Sequence, residues 1–262
     1  MQNALLVGLS RQMSLSHELD VIANNIANID TNGFKSDNAS FMEYLMPGAR
    51  DDDFSVGKDR RISFVEDRAT WIDFSAGTMQ RTGNPLDVAI DGKGFLVVQT
   101  PRGPRYTRNG AFTLDAAGQL VTMSGDPVMG TNGPIVFQPT DRDIIISPTG
   151  LVSVRDNNGG SVVQSTQRGQ LQIVNFAQQQ QLHKDGAATF AAPSGVNPVP
   201  ASPNTRIVQG SLEKSNVSPI MEMARMIEIT RSYSDISNLL ELESEQKKNS
   251  LQQLSQAPTS GS

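Results

Sequence analysis

The chain of 262 residues has no cysteine and only two histidines. Without cysteine there can be no disulfide, no thiolate nucleophile and no cysteine-ligated zinc or iron–sulfur centre. His17 and His183 lie far apart in the chain, which excludes a histidine-rich metal site. Aromatic residues make up 5%, with one Trp and three Tyr, and hydrophobic residues 37%. That apolar supply is lean for a self-sufficient globule, yet too rich and too patterned for general disorder. Twenty-two Lys plus Arg against 27 Asp plus Glu give a formal net charge of -5. Nucleic-acid binding calls for a clustered basic face, so no nucleic-acid partner is expected. No stretch approaches the about 20 consecutive apolar residues of a membrane helix. The opening MQNALLVGLSRQ lacks the basic region and small-residue cleavage site of a secretory leader. A protein exported, if at all, without a cleaved signal peptide is expected.

The usual catalytic kits are missing too. His17 stands in HELD, without the second histidine of a helical zinc motif. Asp87 with Asp91, and Asp141 with Asp143, are candidate carboxylate pairs for glycoside hydrolysis. Each reads more simply as the solvent side of a half-buried strand. Gly92-Lys93-Gly94 is too short for a phosphate loop and reads as a tight turn. No cofactor, metal or small-molecule substrate is expected.

What the sequence does contain is pattern. Leu15, Leu19, Ile22, Ile26 and Ile29 recur at helical spacing, predicting an amphipathic helix over about residues 3–28. Gly33 in Asn32-Gly33 reads as its stop signal. At the other end Ser218-Pro219 resembles a helix start. From there Met226, Ile229, Tyr233, Ile236 and Leu240 form a heptad-like seam. Continued to Leu254, that helix would be about 54 Å long at 1.5 Å per residue. Its seam needs a partner, and the N-terminal stripe is the obvious one. Between the ends, short apolar runs alternate with turn signals about every ten residues, as in a sandwich or barrel. The fold class is therefore α+β: coiled-coil-like paired terminal helices with an inserted β-rich, sandwich- or barrel-like domain. The expected divisions are an N-terminal helical assembly segment (1–34), an extended connector or neck (35–75) with an exposed tip at Asp51 to Asp53, a β-rich outer domain (76–204) and a C-terminal connector with the long helix (205–262). Residues 191–204 read as an irregular extended link.

One segment is chemically unusual. Asn24, Asn25, Asn28 and Asn32 crowd into ANNIANIDTNGFK, although Asn is a mediocre helix former. Amides both donate and accept, so they are expected to satisfy one another between packed helices, opposite Ile22, Ile26 and Ile29.

That same stretch, residues 23–35, resembles the N-terminal signature of the flagellar rod and hook protein family. The resemblance continues at SAGTMQRTGNPLDVAIDGKGFLVVQ (75–99), RYTRNGAFTLDAAGQLVT (105–122) and VQGSLEKSNVSPIMEMARMIEITRSY (208–233). Within the family, the opening and the length are most similar to proximal rod members, with distal rod members as the alternative. The resemblance implies a non-enzymatic structural subunit that self-associates and joins other proximal and distal rod subunits in the periplasmic rod of the basal body, transmitting torque. It implies assembly roles for Leu19, Ile22, Asn24, Asn25, Ile26, Asn28, Ile29, Asn32, Gly33 and Phe34, and for Met226, Ile229, Tyr233, Ile236 and Leu240. It also implies passage through the flagellar type III export apparatus, for which Phe41 and Leu45 form a candidate recognition pattern. The readings from another class are a secreted carbohydrate-active enzyme using two of the aspartates, or an adhesin.

Overall fold

The structure is a computed structural model that describes residues 2–47, 61–156 and 164–256, with side chains for 7–40, 70–155, 165–249 and 252. Two helices bracket the chain, α1 (Gln2–Ala27) and α2 (Pro219–Gln256), so the fold class is α+β. α2 begins on Pro219, whose missing N–H costs nothing at the first helical position. α1 ends at Ala27, several residues before Gly33. Gly33 therefore does not stop the helix; its role lies in the loop beyond, described below.

The residues between the helices are strands. In chain order they are β1 (Asp37–Pro47), β2 (Arg61–Ile72), β3 (Met79–Arg81), β4 (Val88–Asp91), β5 (Phe95–Thr100) and β6 (Gly103–Thr107). There follow β7 (Phe112–Leu114), β8 (Leu120–Thr122), β9 (Met129–Gly130), β10 (Gly133–Pro134), β11 (Arg142–Ile146), β12 (Leu151–Asp156) and β13 (Gln164–Gln170). The last are β14 (Ile173–Asn175), β15 (His183–Lys184), β16 (Thr189–Ala191), β17 (Val199–Pro200), β18 (Arg206–Gln209) and β19 (Ser211–Glu213).

The chain divides into two compact units. One comprises α1 as far as Ile26, the segment 37–71 and α2. Its strands β1 and β2 pair into a two-stranded sheet, where the sequence pattern suggests an extended connector. The expected tip at Asp51 to Asp53 lies outside the described residues.

The other unit comprises Ala27–Ser36 and Ile72–Ser218. Its largest sheet has six strands in the order β15-β16-β6-β5-β14-β17. β5 explains why FLVV is continuously apolar. Leu96 and Val98 enter one hydrophobic cluster with Val88, Ile90, Leu120, Val128, Ile135 and Val152. Phe95 and Val97 enter another, with Tyr106, Phe176, Leu182 and Phe190. Alternate side chains leave opposite faces of a strand, so a strand covered on both faces reads as an apolar run. The second cluster is bound by edge-to-face rings, such as Phe95 with Phe190 at 5.6 Å and Tyr106 with Phe176 at 4.7 Å. Within 191–204, expected to be irregular, β17 adds to the sheet through Val174 opposite Pro200.

Two aspartates are not the wet side of a strand that their spacing suggests. Asp87 is buried, and its carboxylate accepts from Thr82 Oγ1 at 2.7 Å and Asn84 Nδ2 at 2.9 Å. Asp141 accepts from Arg168 Nε at 2.7 Å. Burial would raise the Asp141 carboxyl, but the Arg168 guanidinium and the Gln138 N–H outweigh it and hold the group below the ordinary carboxylate value. Both are structural anchors occupied by protein donors.

Candidate functional site

In the helical unit, Leu15, Ile22 and Ile229 form a buried cluster, flanked by Leu19, Ile26, Met226, Tyr233 and Ile236. Polar contacts fix the direction. Gln12 Nε2 donates to Tyr233 Oη at 3.1 Å and to Ser237 Oγ at 3.2 Å, and Arg225 Nε lies 3.3 Å from Glu18 Oε1. Leu240 fills the space beside Gly8, where an added Cβ would approach Leu240 Cδ2 to 2.7 Å. Partners rise along α1 as they fall along α2, so these contacts are antiparallel. Ile29, expected on the same stripe, is absent from the cluster and sits in the turn after the helix.

α2 has a second apolar face. Ile220, Met223 and Ile227 follow one another at helical spacing and are 80%, 54% and 55% exposed. At 3.6 residues per turn they lie roughly opposite Met226, Ile229, Tyr233 and Ile236. Leu242, 61% exposed, shares that outer side. An apolar stripe on a soluble helix normally faces a core; here one stripe is covered and the other is open.

Among the described contacts, the asparagines bond to the turn after α1 and to the start of β1 instead of to one another between helices. Asn25 is buried and clamps the start of β1: its Nδ2 donates to the Asp37 carbonyl at 2.8 Å and its Oδ1 accepts the Asp37 N–H at 2.9 Å. Asn24 Nδ2 donates to Asp37 Oδ2 at 3.2 Å, and Asn28 Oδ1 accepts from Thr31 Oγ1 at 3.1 Å. A side-chain amide can imitate a peptide group, so these residues lock the turn between α1 and β1. Among the described residues, no donor lies within hydrogen-bonding reach of the buried Asn32 Oδ1. Phe41 and Leu45 fall on β1, outside the residues whose side chains are described.

In the β-rich unit, Gly33 and Phe34 lead to a cluster that periodicity and motif spacing do not reveal. Lys35, Glu213 and Arg108 are almost completely buried together. Lys35 Nζ lies 2.6 Å from Glu213 Oε1 and 2.5 Å from the Ser75 carbonyl. Arg108 Nη1 donates to Glu213 Oε2 and to the Ile90 carbonyl, both at 3.1 Å, while Nη2 donates to the Gly92 carbonyl at 2.6 Å. The Gly77 N–H donates to Glu213 Oε1 at 3.1 Å. Two cations thus share one carboxylate, and the main-chain carbonyls of Ser75, Ile90 and Gly92 accept three further bonds from them. Burial pulls both the Lys35 and the Arg108 groups below their ordinary values, with Glu213 opposing the shift.

Local backbone geometry makes room for this cluster. Gly33 has φ +70 and donates its N–H to the Glu213 carbonyl at 2.7 Å. A Cβ there would sit 2.4 Å from the Arg108 carbonyl carbon, so neither the conformation nor the space admits a side chain. Phe34 is fully buried, with Lys184 Nζ 4.0 Å from its ring centroid. The one clue in the sequence is placement: Lys35, Gly77, Arg108 and Glu213 all fall inside the blocks that carry the family resemblance.

Comparison with known proteins accounts for that coincidence. Residues 5–35 match the family described as "Flagella basal body rod protein". Residues 89–154 match "Flagellar hook protein FlgE/F/G D1 domain", and residues 208–248 match "Flagellar basal body rod FlgEFG protein C-terminal". Each matched segment contributes one charged residue to the buried cluster: Lys35, Arg108 and Glu213. The flagellar basal-body rod protein FlgF of Caulobacter vibrioides is 35% identical over 97% of this chain and 98% of that protein. FlgF of Rhizobium meliloti is 33% identical over 92% of each chain. The rod protein FlgG of Agrobacterium fabrum is 36% identical over 90% of this chain and 94% of its own. At this identity and coverage, this chain belongs to the flagellar basal-body rod protein family.

Proposed function

We propose that this chain is a structural, non-enzymatic subunit of the flagellar basal-body rod, placed in its proximal part and joined to like subunits through its terminal helices. The observation that carries the reading is the doubly apolar α2. Its inner stripe meets α1, while Ile220, Met223 and Ile227 remain open. Covering each such side chain in a neighbour contributes about 1.5–3 kcal/mol, enough in a repeated lattice to hold subunits together. In this reading α1 and α2 form the coiled-coil-like assembly element, and partners are further copies and other proximal and distal rod subunits. Torque passes along the shaft they build.

Near-complete coverage of relatives named FlgF favours the proximal position. The comparable identity to FlgG favours the distal rod as the second reading. Labelling the subunit in isolated basal bodies distinguishes the two. The proposal includes a periplasmic location reached through the flagellar export apparatus without a cleaved leader, with Phe41 and Leu45 as part of the recognised segment. Full-length chain carrying Ile220→Glu and Met223→Glu is expected to fold as a monomer with unchanged helical content, yet fail to build rods or support swimming. Normal motility in that variant would overturn the helix-mediated scheme.

A further inference from the structure

We infer that the layer around Glu213 is a polar clasp: a separate cooperative element that holds, or releases together, the segment leaving α1 and the segment entering α2. It joins residues 33–36, 73–81 and 211–216. β19 pairs with β3, Glu213 lying opposite Met79, and the Lys214 N–H donates to the Thr78 carbonyl at 2.8 Å. The Ser36 N–H donates to Asn216 Oδ1 at 2.8 Å, the Asp73 N–H to the Ser36 carbonyl at 2.9 Å, and Asn216 Nδ2 to the Asp73 carbonyl at 2.8 Å. With the Glu213 contacts, each of the three segments is bonded to both others. Among the described residues, Phe74 is the one member of these three segments packed against a hydrophobic cluster of the β-rich unit, its ring 5.7 Å from that of Phe95. The layer buries Phe34 and Leu212 but is held chiefly by hydrogen bonds and ion pairs.

Two consequences follow. Regions sharing little core with the rest of a domain open with their own free energy, below that of global unfolding. The clasp also depends on one group: Glu213 supplies the carboxylate for Lys35 and Arg108, accepts the Gly77 N–H and, through its main chain, the Gly33 N–H. Lys35 and Glu213 are 178 residues apart, so the layer closes only after both chain ends have come together. Opening it frees the stems of both helices at once while the two hydrophobic cores stay folded. This is distinct from the assembly role of the helices and would hold for the isolated monomer.

Native-state hydrogen exchange on the full wild-type chain, in urea increments below the unfolding midpoint, tests it. The Gly33, Ser36, Gly77 and Lys214 amides are expected to share one opening transition, of lower free energy than the amides of β5 and β6. Merging of all of them into a single global transition, or four unrelated values, overturns the proposal. In Glu213→Gln, exchange at all four should accelerate by at least about a hundredfold with β5 and β6 unchanged, since two buried cations lose their carboxylate. Acceleration confined to Gly77 and Lys214 overturns it as well. Should that variant fail to fold, the wild-type measurement still decides.

Discussion

Ile227 and Ile229 are two residues apart on α2, identical in chemistry and opposite in environment. Ile229 is 5% exposed against Leu15 and Ile22, whereas Ile227 is 55% exposed. Replacing each by Asp separates folding of the monomer from assembly. For Ile229→Asp, loss of the buried side chain alone costs about 2–5 kcal/mol, as in large-to-small core substitutions. A carboxylate forced into that position adds the cost of burying a charge or protonating it. Among the described residues three seam side chains are buried, contributing about 1.5–3 kcal/mol each, so this one change removes a large part of what holds the helices together. The monomer should lose much of its far-ultraviolet helical signal, because most helical stability in proteins comes from packing of the apolar face. The thermal transition of the β-rich unit should stay within a few degrees of wild type. Ile227→Asp should leave both monomer signals unchanged and abolish swimming and rod formation. Full helicity in Ile229→Asp, or normal swimming in Ile227→Asp, would refute the assignment of the two faces.

Other outcomes follow from the β-rich unit. Lys35→Met leaves Glu213 and Arg108 as a balanced pair, whereas Glu213→Gln strands two buried cations; opening of the clasp, followed by exchange at Gly33, should be eased far less by the first than by the second. The reverse order would contradict the charge count. Gly77→Ala brings a Cβ to 1.9 Å from the Lys214 carbonyl oxygen, so β3 and β19 must part and the loss should reach or exceed the about 1–3 kcal/mol of ordinary overpacking, measured by urea denaturation. The Asp141 carboxyl is held below its ordinary value of 3.8, so its stabilisation is fully present above that pH and is lost as pH falls through the folded value. Asp141→Asn should flatten the corresponding part of an acid stability profile; an unchanged slope there would show that Arg168 does not set it.

How much of this is legible in the chain depends on the range of the interaction. Apolar residues repeating every three or four positions announce a helix and its buried face because the helical backbone itself imposes that spacing. Leu19, Ile22 and Ile26, and Met226, Ile229, Tyr233 and Ile236, therefore stand out from their spacing alone. The same spacing extends to Ile29, where the backbone has already left the helix, since periodicity does not say where a helix ends. The asparagines pass for helix-facing amides because nothing local signals that Asn25 will hold Asp37 by both main-chain groups. Asp87 looks wet because alternation records only one neighbouring layer, and the donors from Thr82 and Asn84 belong to the preceding turn.

The sequence by itself determined the helical ends, the strand-and-turn character of the middle and the absence of cysteine chemistry. Absence of a residue type and local periodicity are properties of composition and of short windows, and no fold can alter them. Tertiary structure alone decided that Lys35, Arg108 and Glu213 meet, that Gly33 opens space for them instead of ending a helix, and that one face of α2 is covered while the other is open. Those facts rest on contacts between residues as far as 178 positions apart, where a lone lysine or glutamate looks like any solvated charge until folding removes its water.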